Sequence, residues 1–165
     1  MRAAFCFYLN LKMSFPFAFH TSHCQFYVYD KASPGETGSD GFWTESAFND
    51  RLAVEKGVLG VGTECYGPVK GELYLLRVAN DEVNFEDYDH IVEAGLEVKS
   101  GIIQILDCPT SGVELELEVV PGRYRARVYS MNLASVVGDE GNDFYKIEIW
   151  PDTTLNRKVL KRFMR

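Results

Sequence analysis

The sequence predicts a mainly β protein, an antiparallel β-sandwich with one short helix at about residues 44–56. Three observations support this fold class. Most of the chain alternates apolar and polar residues with period two, as half-buried strands do. Aromatic residues make up 13% of the 165 residues, and such residues are enriched where strands pack on a pleated surface. Signals for tight turns stand between several of the alternating stretches, as expected in a sandwich.

The first half of the chain predicts strands followed by the helix. Alternating aromatic residues before residue 30 indicate one or two strands. Residues 33–41 (SPGETGSDG) form a loop by composition. Thr44 suits a helix N-cap, Glu45 suits the positive end of the helix, and Gly57 can close the helix in the left-handed conformation. The helix is therefore expected between these positions.

Two strand pairs are expected after the helix. The stretches GVLGVGTE and GELYLLRVA read as a pair joined through CYGPVK. The stretches 113–119 and 123–129 flank the turn at Pro121 and Gly122. If they form a hairpin, three Glu face three Arg on the solvent side. Such cross-strand pairs contribute a few tenths to about 1 kcal/mol each, which makes this charge pattern structural.

Length and composition fit one domain over residues 1–165. At 46% hydrophobic, a chain of this length can bury a real core. Residues 1–12, ahead of Met13, are expected to be an over-extended or disordered N-terminal tail. The basic C-terminal stretch NRKVLKRFMR is expected to be a short amphipathic helix or a solvated, partly frayed terminus.

The charge balance narrows the class of partner. The net charge of −7 argues against general binding to nucleic acid or to anionic membranes, both of which need a cationic face. It is compatible with a basic protein partner and with plain solubility. No stretch approaches the ~20 apolar residues of a membrane span, so no transmembrane segment is expected. Peripheral association with a membrane and the oligomeric state stay open.

The cysteines predict a reduced, cytoplasmic protein. Their spacings match neither a zinc knuckle nor a redox motif, and their density is not that of a disulfide-rich fold. They are expected to be free thiols, mostly buried. The four are Cys6, Cys24, Cys65 and Cys108.

The sequence signals no metal, cofactor or catalytic motif. His20, His23 and Cys24 look like a metal cluster, but positions i and i+3 of a straight strand point to opposite faces. A turn between them could bring them together, yet no second ligand pair appears elsewhere. The chain lacks a Gly-x-Ser-x-Gly elbow, and its GVLGVG stretch lacks the Lys of a P-loop. An enzyme is not expected, although the many carboxylates leave one open.

One stretch concentrates negative charge. Residues 80–98 (NDEVNFEDYDHIVEAGLEV) contain seven carboxylates and no Lys or Arg. Three interpretations are open: a solvated loop and strand face, a metal site, or a surface that meets a basic partner. The spacing lacks the central Gly and terminal Glu of an EF-hand, and the charges have no compensating neighbours in sequence. Residues 137–143 (VGDEGND) read as a turn that could extend an acidic face. The candidate partner-binding residues are Asp81, Glu82, Glu86, Asp87, Asp89, Asp139, Glu140 and Asp143.

The order of features between about residues 22 and 150 resembles a known family. The stretches SHCQFYVYD, FWTESAFNDRLAVEKGVLGVGT, GELYLLRV, VVPGRYRARVYS and DFYKIEIWP are similar to those of the bacterial competence protein J family, inhibitors of the DNA-entry nuclease. The resemblance implies a bacterial protein, cytosolic or membrane-associated, that binds and blocks a nuclease. It carries over no functional residue. Because the DNA cleft of a nuclease is positive, spaced carboxylates could occupy it in place of phosphates.

The leading interpretation is therefore a non-catalytic inhibitor or immunity-type protein that blocks a basic nuclease or toxin through an acidic surface. The first alternative is a small-ligand-binding sandwich or minor hydrolase with a site at Trp43, His23 and Tyr129. A deep apolar pocket at those residues would favour that alternative. The second is a structural subunit that self-associates through exposed strand edges.

Overall fold

The structure is a computed structural model that describes residues 13–165. Two β-sheets pack face to face, which confirms the predicted β-sandwich. In spatial order, sheet A contains β1 (Met13–His20), β5 (Pro68–Leu75), β10 (Phe144–Pro151), β9 (Gly122–Met131), β6 (His90–Val98) and β11 (Lys158–Lys161). Sheet B contains β3 (Leu52–Glu55), β4 (Val58–Gly62), β2 (Gln25–Asp30), β7 (Ile102–Leu106) and β8 (Val113–Glu118). Neighbouring strands are antiparallel except β5 and β10, which are parallel. The predicted tail at residues 1–12 lies outside the described residues.

The main core lies between the sheets. Strands β9 and β6 alternate so that residues such as Ala126 and Val92 point inward and are fully buried, against Val28 and Ile105 of sheet B. This arrangement follows from the period-two pattern, because alternate side chains of a strand lie on the same face. A second apolar cluster around Phe42 covers the other face of sheet B. The outer face of sheet A, which points away from sheet B, is left for the polar residues of β6, β9 and β10.

The helix begins where the sequence predicts but ends six residues early. It spans Glu45–Asp50, and the hydroxyl of Thr44 accepts a hydrogen bond from the Ala47 N–H at 3.2 Å. Arg51 then adopts the left-handed conformation (φ 56°) and ends the helix. The predicted extent to residue 56 is wrong because Leu52 and the residue after it are fully buried in strand β3. Gly57, with φ 71°, turns β3 into β4 instead.

Both predicted strand pairs are wrong. Strands β8 and β9 do not form a hairpin: β8 pairs with β7 in sheet B, and β9 pairs with β6 and β10 in sheet A. The turn at Pro121 and Gly122 carries the chain from one sheet to the other. Strands β4 and β5 are likewise split between the two sheets. In both cases the apolar side chains of consecutive strands face each other across the core, which buries them more completely than a hairpin with one solvated face would.

The basic C-terminal stretch is ordered. Residues Lys158–Lys161 form β11 against β6, so neither the predicted amphipathic helix nor the frayed terminus is present. Arg157 and Arg162 both pair with Asp50 at the end of the helix, at 2.8 and 2.6 Å. The stretch therefore fastens the helix to the edge of sheet A.

Candidate partner-binding surface

Most of the negative stretch belongs to the link between β5 and β6, residues 76–89, which we call the acidic crossover. At its start, the N–H of Leu76 donates to the carbonyl of Ile149 at 2.8 Å, and at its end the N–H of Asp89 donates to the carbonyl of Ser130 at 2.9 Å. Ile149 and Ser130 lie near opposite ends of the β9–β10 pair. The acidic crossover therefore runs across the outer face of sheet A.

A buried polar network anchors the crossover to the sheet. The carboxylate of Glu148, fully buried on β10, accepts hydrogen bonds from the Tyr129 hydroxyl at 2.5 Å and the Asn80 amide at 3.2 Å. The Lys146 ammonium lies 2.9 Å from the same carboxylate and donates to the Tyr88 hydroxyl at 3.3 Å. Asn80 and Tyr88 belong to the crossover, so two of its own side chains tie it down.

The ionisation of this network follows from its contacts. Burial alone would raise the pKa of Glu148, but hydrogen bonds from Tyr129 and Lys146 outweigh that effect and hold the pKa below its ordinary value. Burial, together with the hydrogen bond to Glu148, raises the pKa of Tyr129. The network at neutral pH is therefore a carboxylate with a neutral phenol and an ammonium, all mutually satisfied.

One carboxylate of the negative stretch is neutralised across strands. Glu93 on β6 accepts from the Nε atoms of Arg125 at 2.7 Å and Arg127 at 2.5 Å on β9. All three side chains are buried. The expectation that the stretch has no compensating neighbours holds in sequence but is wrong in space for this residue. Two arginines of the β9 alternation do meet a carboxylate, but it is Glu93 of β6.

Four of the eight candidate carboxylates are exposed on the crossover. Two of them, Glu86 and Asp87, lie in a short 3-10 turn, Phe85–Asp87. Asn84 caps this turn: its side-chain oxygen accepts from the Glu86 N–H at 3.3 Å while its amide donates to Asp87 at 3.0 Å. The exposed four are Asp81, Glu82, Glu86 and Asp87.

These four carboxylates are largely uncompensated. Glu86 lies 3.7 Å from the Lys161 ammonium, and its side chain is 86% exposed, so that pair is weak. Within residues 13–165 no ion pair involves the other three. The crossover also exposes two apolar side chains, Val78 (73%) and Phe85 (38%). An exposed aromatic ring is enriched at protein-binding surfaces, whereas Asp and Glu are depleted there, so the carboxylates bear on electrostatic attraction to a basic partner.

Two of the candidates, Asp89 and Asp143, accept hydrogen bonds from other parts of the chain. Asp89 accepts a hydrogen bond from the Leu133 N–H at 2.8 Å. Asp143 is only 5% exposed, and one of its oxygens accepts from the Tyr145 hydroxyl at 2.6 Å and the Cys65 N–H at 3.2 Å. These carboxylates hold the end of sheet A together and present little surface to a partner.

The last two candidates, Asp139 and Glu140, are exposed in a separate loop. Its residues 137 and 140 form an isolated bridge, and the carbonyl of Asp139 accepts from the thiol of Cys65 at 2.8 Å. The loop borders a shallow groove with His20 and Tyr66. It lies at the end of the sandwich, whereas the acidic crossover lies on the face of sheet A.

The residues of the alternative ligand site do not come together. His23 and Trp43 line one shallow cleft of about 300 Å³ on the sheet B side. Tyr129 is fully buried under the acidic crossover on sheet A. A ligand or hydrolase site built from these three residues is therefore wrong, because His23 and Trp43 lie in loops on the sheet B side, whereas Tyr129 lies in β9 of sheet A.

Residues 13–165 contain neither a metal-ligand cluster nor a membrane-spanning helix. No group of three or more His, Cys, Asp or Glu side chains within residues 13–165 could hold a metal ion. No helix in that range is long and apolar enough to cross a membrane. Cys24, Cys65 and Cys108 are free thiols, and Cys6 lies outside the range.

Sequence reasoning missed the polar network beneath the crossover. Lys146 and Glu148 alternate with core residues in the last strong strand, and that alternation places them on its outer face. A polar face with a Lys and a Glu normally indicates solvent exposure. Nothing in the local pattern signals that the crossover returns to cover them.

The architecture is shared with two solved structures. ComJ from Bacillus subtilis, described as an inhibitor of the DNA-degrading activity of NucA, superposes with a TM-score of 0.67 at 19% identity, covering 87% of this chain and all of ComJ. This is a ComJ-like fold. The resemblance expected from the sequence is thereby confirmed at the level of the fold.

A second solved structure, described as crocagin biosynthetic gene J, superposes with a TM-score of 0.56 at 15% identity, covering 87% of this chain and all of that one. No family model matches the sequence, and no curated protein matches it.

Proposed function

We propose that this protein is a non-catalytic inhibitor that binds a basic nuclease through the exposed carboxylates of the acidic crossover. The observation that carries the proposal is a ComJ-like fold on which four carboxylates stand exposed beside Phe85. ComJ itself is described as inhibiting a nuclease. Asp139 and Glu140 would form a second acidic contact where the partner extends past the end of the sandwich.

Electrostatics explains how such a surface would act. A nuclease concentrates positive charge where it holds DNA phosphates, and spaced carboxylates attract the same charge. The exposed ring of Phe85 would supply the desolvated centre of the contact, since aromatic side chains contribute disproportionately to binding. Binding would block access of DNA sterically, without a chemical step. Association would be fast and would weaken with added salt.

The test is a capture experiment from the lysate of the source organism. The immobilised protein is washed at low salt and eluted at high salt, and each eluate is assayed for DNA cleavage before and after re-addition of free protein. Recovery of a DNA-cleaving activity that the free protein suppresses is expected. Absence of any such activity in the eluate would contradict the inhibitor proposal.

A charge-matched pair of variants tests the surface. The crossover variant changes the four exposed carboxylates to amides: Asp81→Asn, Glu82→Gln, Glu86→Gln and Asp87→Asn. The control variant makes the same change in net charge at exposed positions elsewhere: Glu36→Gln, Asp40→Asn, Glu114→Gln and Glu118→Gln. The crossover variant is expected to weaken nuclease capture at least about tenfold more than the control. Equal weakening would mean that net charge, and not the crossover, drives binding.

A further inference from the structure

A groove of about 380 Å³ opens on the outer face of sheet A, beside the acidic crossover. Two buried side chains of β9, Arg125 and Arg127, line it together with Glu93 of β6. Trp150 of β10 and Lys158 of β11 are also among the lining residues. Three of these five side chains are cations, on a chain whose net charge is −7.

Arg125 uses only part of its hydrogen-bonding capacity. Its Nε donates to Glu93 at 2.7 Å, and its Nη1 donates to the carbonyls of Thr154 at 2.9 Å and Asn156 at 3.0 Å. Within residues 13–165 its Nη2 group has no hydrogen-bond partner. The side chain is nevertheless only 5% exposed.

Arg127 repeats this arrangement two positions along the strand. Its Nε donates to Glu93, and its Nη1 donates to the Asn80 carbonyl at 2.7 Å and the Tyr129 hydroxyl at 3.1 Å. Its Cζ lies 5.1 Å from the centre of the Trp150 ring, a cation–π contact that fixes the plane of the guanidinium. Here too, Nη2 has no partner in the described part of the chain, and the residue is 8% exposed.

The charges around the groove leave an excess of positive charge. Glu93 offsets one of the two guanidinium groups. Asp152, the other carboxylate in the lining, accepts hydrogen bonds from the Thr154 N–H and the Trp150 indole. The ammonium of Lys158 is exposed and forms no ion pair among residues 13–165. Because neither Nη2 group is sealed from solvent, each can donate to an anion that enters the groove.

We propose that this groove binds a small oxyanion ligand, a carboxylate or a phosphate monoester, held by the Nη2 groups of Arg125 and Arg127 and by Lys158. Guanidinium groups fixed by other contacts are suited to these anions because their donors lie in one plane and match paired oxygens. The groove lies next to the acidic crossover, but it would bind an anion, whereas the crossover would bind a basic partner. The site is therefore additional to the proposed nuclease contact and does not depend on it.

The indole signals allow a direct test by NMR. The chain has two tryptophans, Trp43 and Trp150, and they lie at different sites, so Trp43 is an internal reference. The labelled protein is titrated separately with inorganic phosphate, thymidine 5′-monophosphate and succinate. Saturable shifts of the Trp150 indole and of the Arg125 and Arg127 Nε signals are expected, with the Trp43 indole unchanged. The ranking of succinate against the two phosphates distinguishes a carboxylate ligand from a phosphate ester.

Two variants separate a specific site from general charge attraction. Lys158→Glu is expected to raise the dissociation constant about tenfold or more, whereas Lys70→Glu, an exposed lysine of β5, leaves it unchanged. Arg127→Lys keeps the charge but removes the planar fork, and it is expected to weaken binding while the indole spectrum shows that the fold is intact. The proposal is overturned if none of the three probes shifts Trp150 saturably, or if the two lysine variants weaken binding equally.

Discussion

Arg127 and Glu93 occupy directly opposite positions of β9 and β6, and a 2.5 Å contact joins Nε to the carboxylate. Both residues are less than a tenth exposed. Glu93 also accepts from Arg125, so one buried carboxylate serves two buried cations. This charge cluster fixes the register of the two strands, beneath the groove and beside the acidic crossover.

Replacing Glu93 is expected to destabilise the protein strongly. Glu93→Ala would leave both guanidinium groups buried without their anion, and breaking a buried pair in this way costs about 3–5 kcal/mol in the free energy of unfolding. Urea unfolding monitored by circular dichroism measures the difference. Glu114→Ala, which removes an exposed carboxylate of β8, should stay within about 0.5 kcal/mol of the parent. A loss below about 1 kcal/mol for Glu93→Ala would mean that water replaces the carboxylate.

In the same cluster, the faces of the strands are predictable from the sequence, but the pairing of the strands is not. The alternation of 123–129 identifies a strand correctly, with one apolar and one basic face. It does not identify the neighbour, because the Glu residues of β8 and those of β6 offer equally good cross-strand partners. The nearer stretch in sequence was the natural prediction, yet β9 pairs with β6. An alternation with period two shows which side chains of a strand share a face. Which neighbour the strand pairs with depends on how the two sheets pack around the core.

The candidate surface was predictable in part for a related reason. The density of carboxylates in 81–89 is visible in the sequence, and four of them are exposed. The burial of Asp143 depends on the Tyr145 hydroxyl and the Cys65 N–H, which a strand register and a distant loop bring to it. The early end of the helix at Arg51 depends in the same way on the burial of the strand that follows. Local pattern gives residue types and faces, but tertiary contacts decide which charges reach the surface.

A buried histidine links the segment after β11 to the end of the helix. The Nε2 of His90 donates to the carbonyl of Asp50 at 2.9 Å, and the N–H of Phe163 donates to its Nδ1 at 3.3 Å. This pair of contacts requires the neutral ring with its proton on Nε2. Burial lowers the pKa of His90 from 6.5, and the nearby Arg51 and Arg162 lower it further, against opposing contributions from Asp50.

Acid is therefore expected to destabilise the protein through His90. Because the folded pKa lies below the unfolded value of 6.5, the unfolded state binds more protons as pH falls. The stabilising contribution is complete above pH 6.5 and is lost as pH falls through the folded pKa. Urea unfolding at about pH 7.5 and about pH 5.5 measures the loss. His90→Gln should show a smaller pH dependence than the parent, whereas His20→Gln and His23→Gln, at exposed positions, should retain it. Equal pH dependence in all four proteins would contradict this role.

Close packing at Gly71 permits β5 to lie between β1 and β10. A Cβ at this position would meet the Tyr145 carbonyl and the Phe17 ring. Gly71→Ala is expected to lower the free energy of unfolding by about 1–3 kcal/mol, because the backbone on one side cannot move aside cheaply. Gly38, whose added Cβ would meet no atom within 4 Å, provides the control: Gly38→Ala should be neutral or slightly stabilising in the same urea titration. A neutral Gly71→Ala would show that the sheet edge shifts to make room.

Neutralising the acidic crossover is expected to leave the fold as stable as before, or more stable. Within residues 13–165 the four exposed carboxylates form one weak ion pair, that of Glu86 with Lys161, and like charges held close together repel. Changing them to amides should therefore keep the thermal midpoint equal or raise it, by no more than about 1 kcal/mol in stability. Differential scanning calorimetry at low and high salt measures this, and salt should shrink the difference because it screens the repulsion. A lower midpoint for the crossover variant than for its charge-matched control would assign these carboxylates a structural role. If the midpoint is unchanged or higher, any loss of nuclease capture by the same variant reflects the surface itself, because an intact fold is then presenting it.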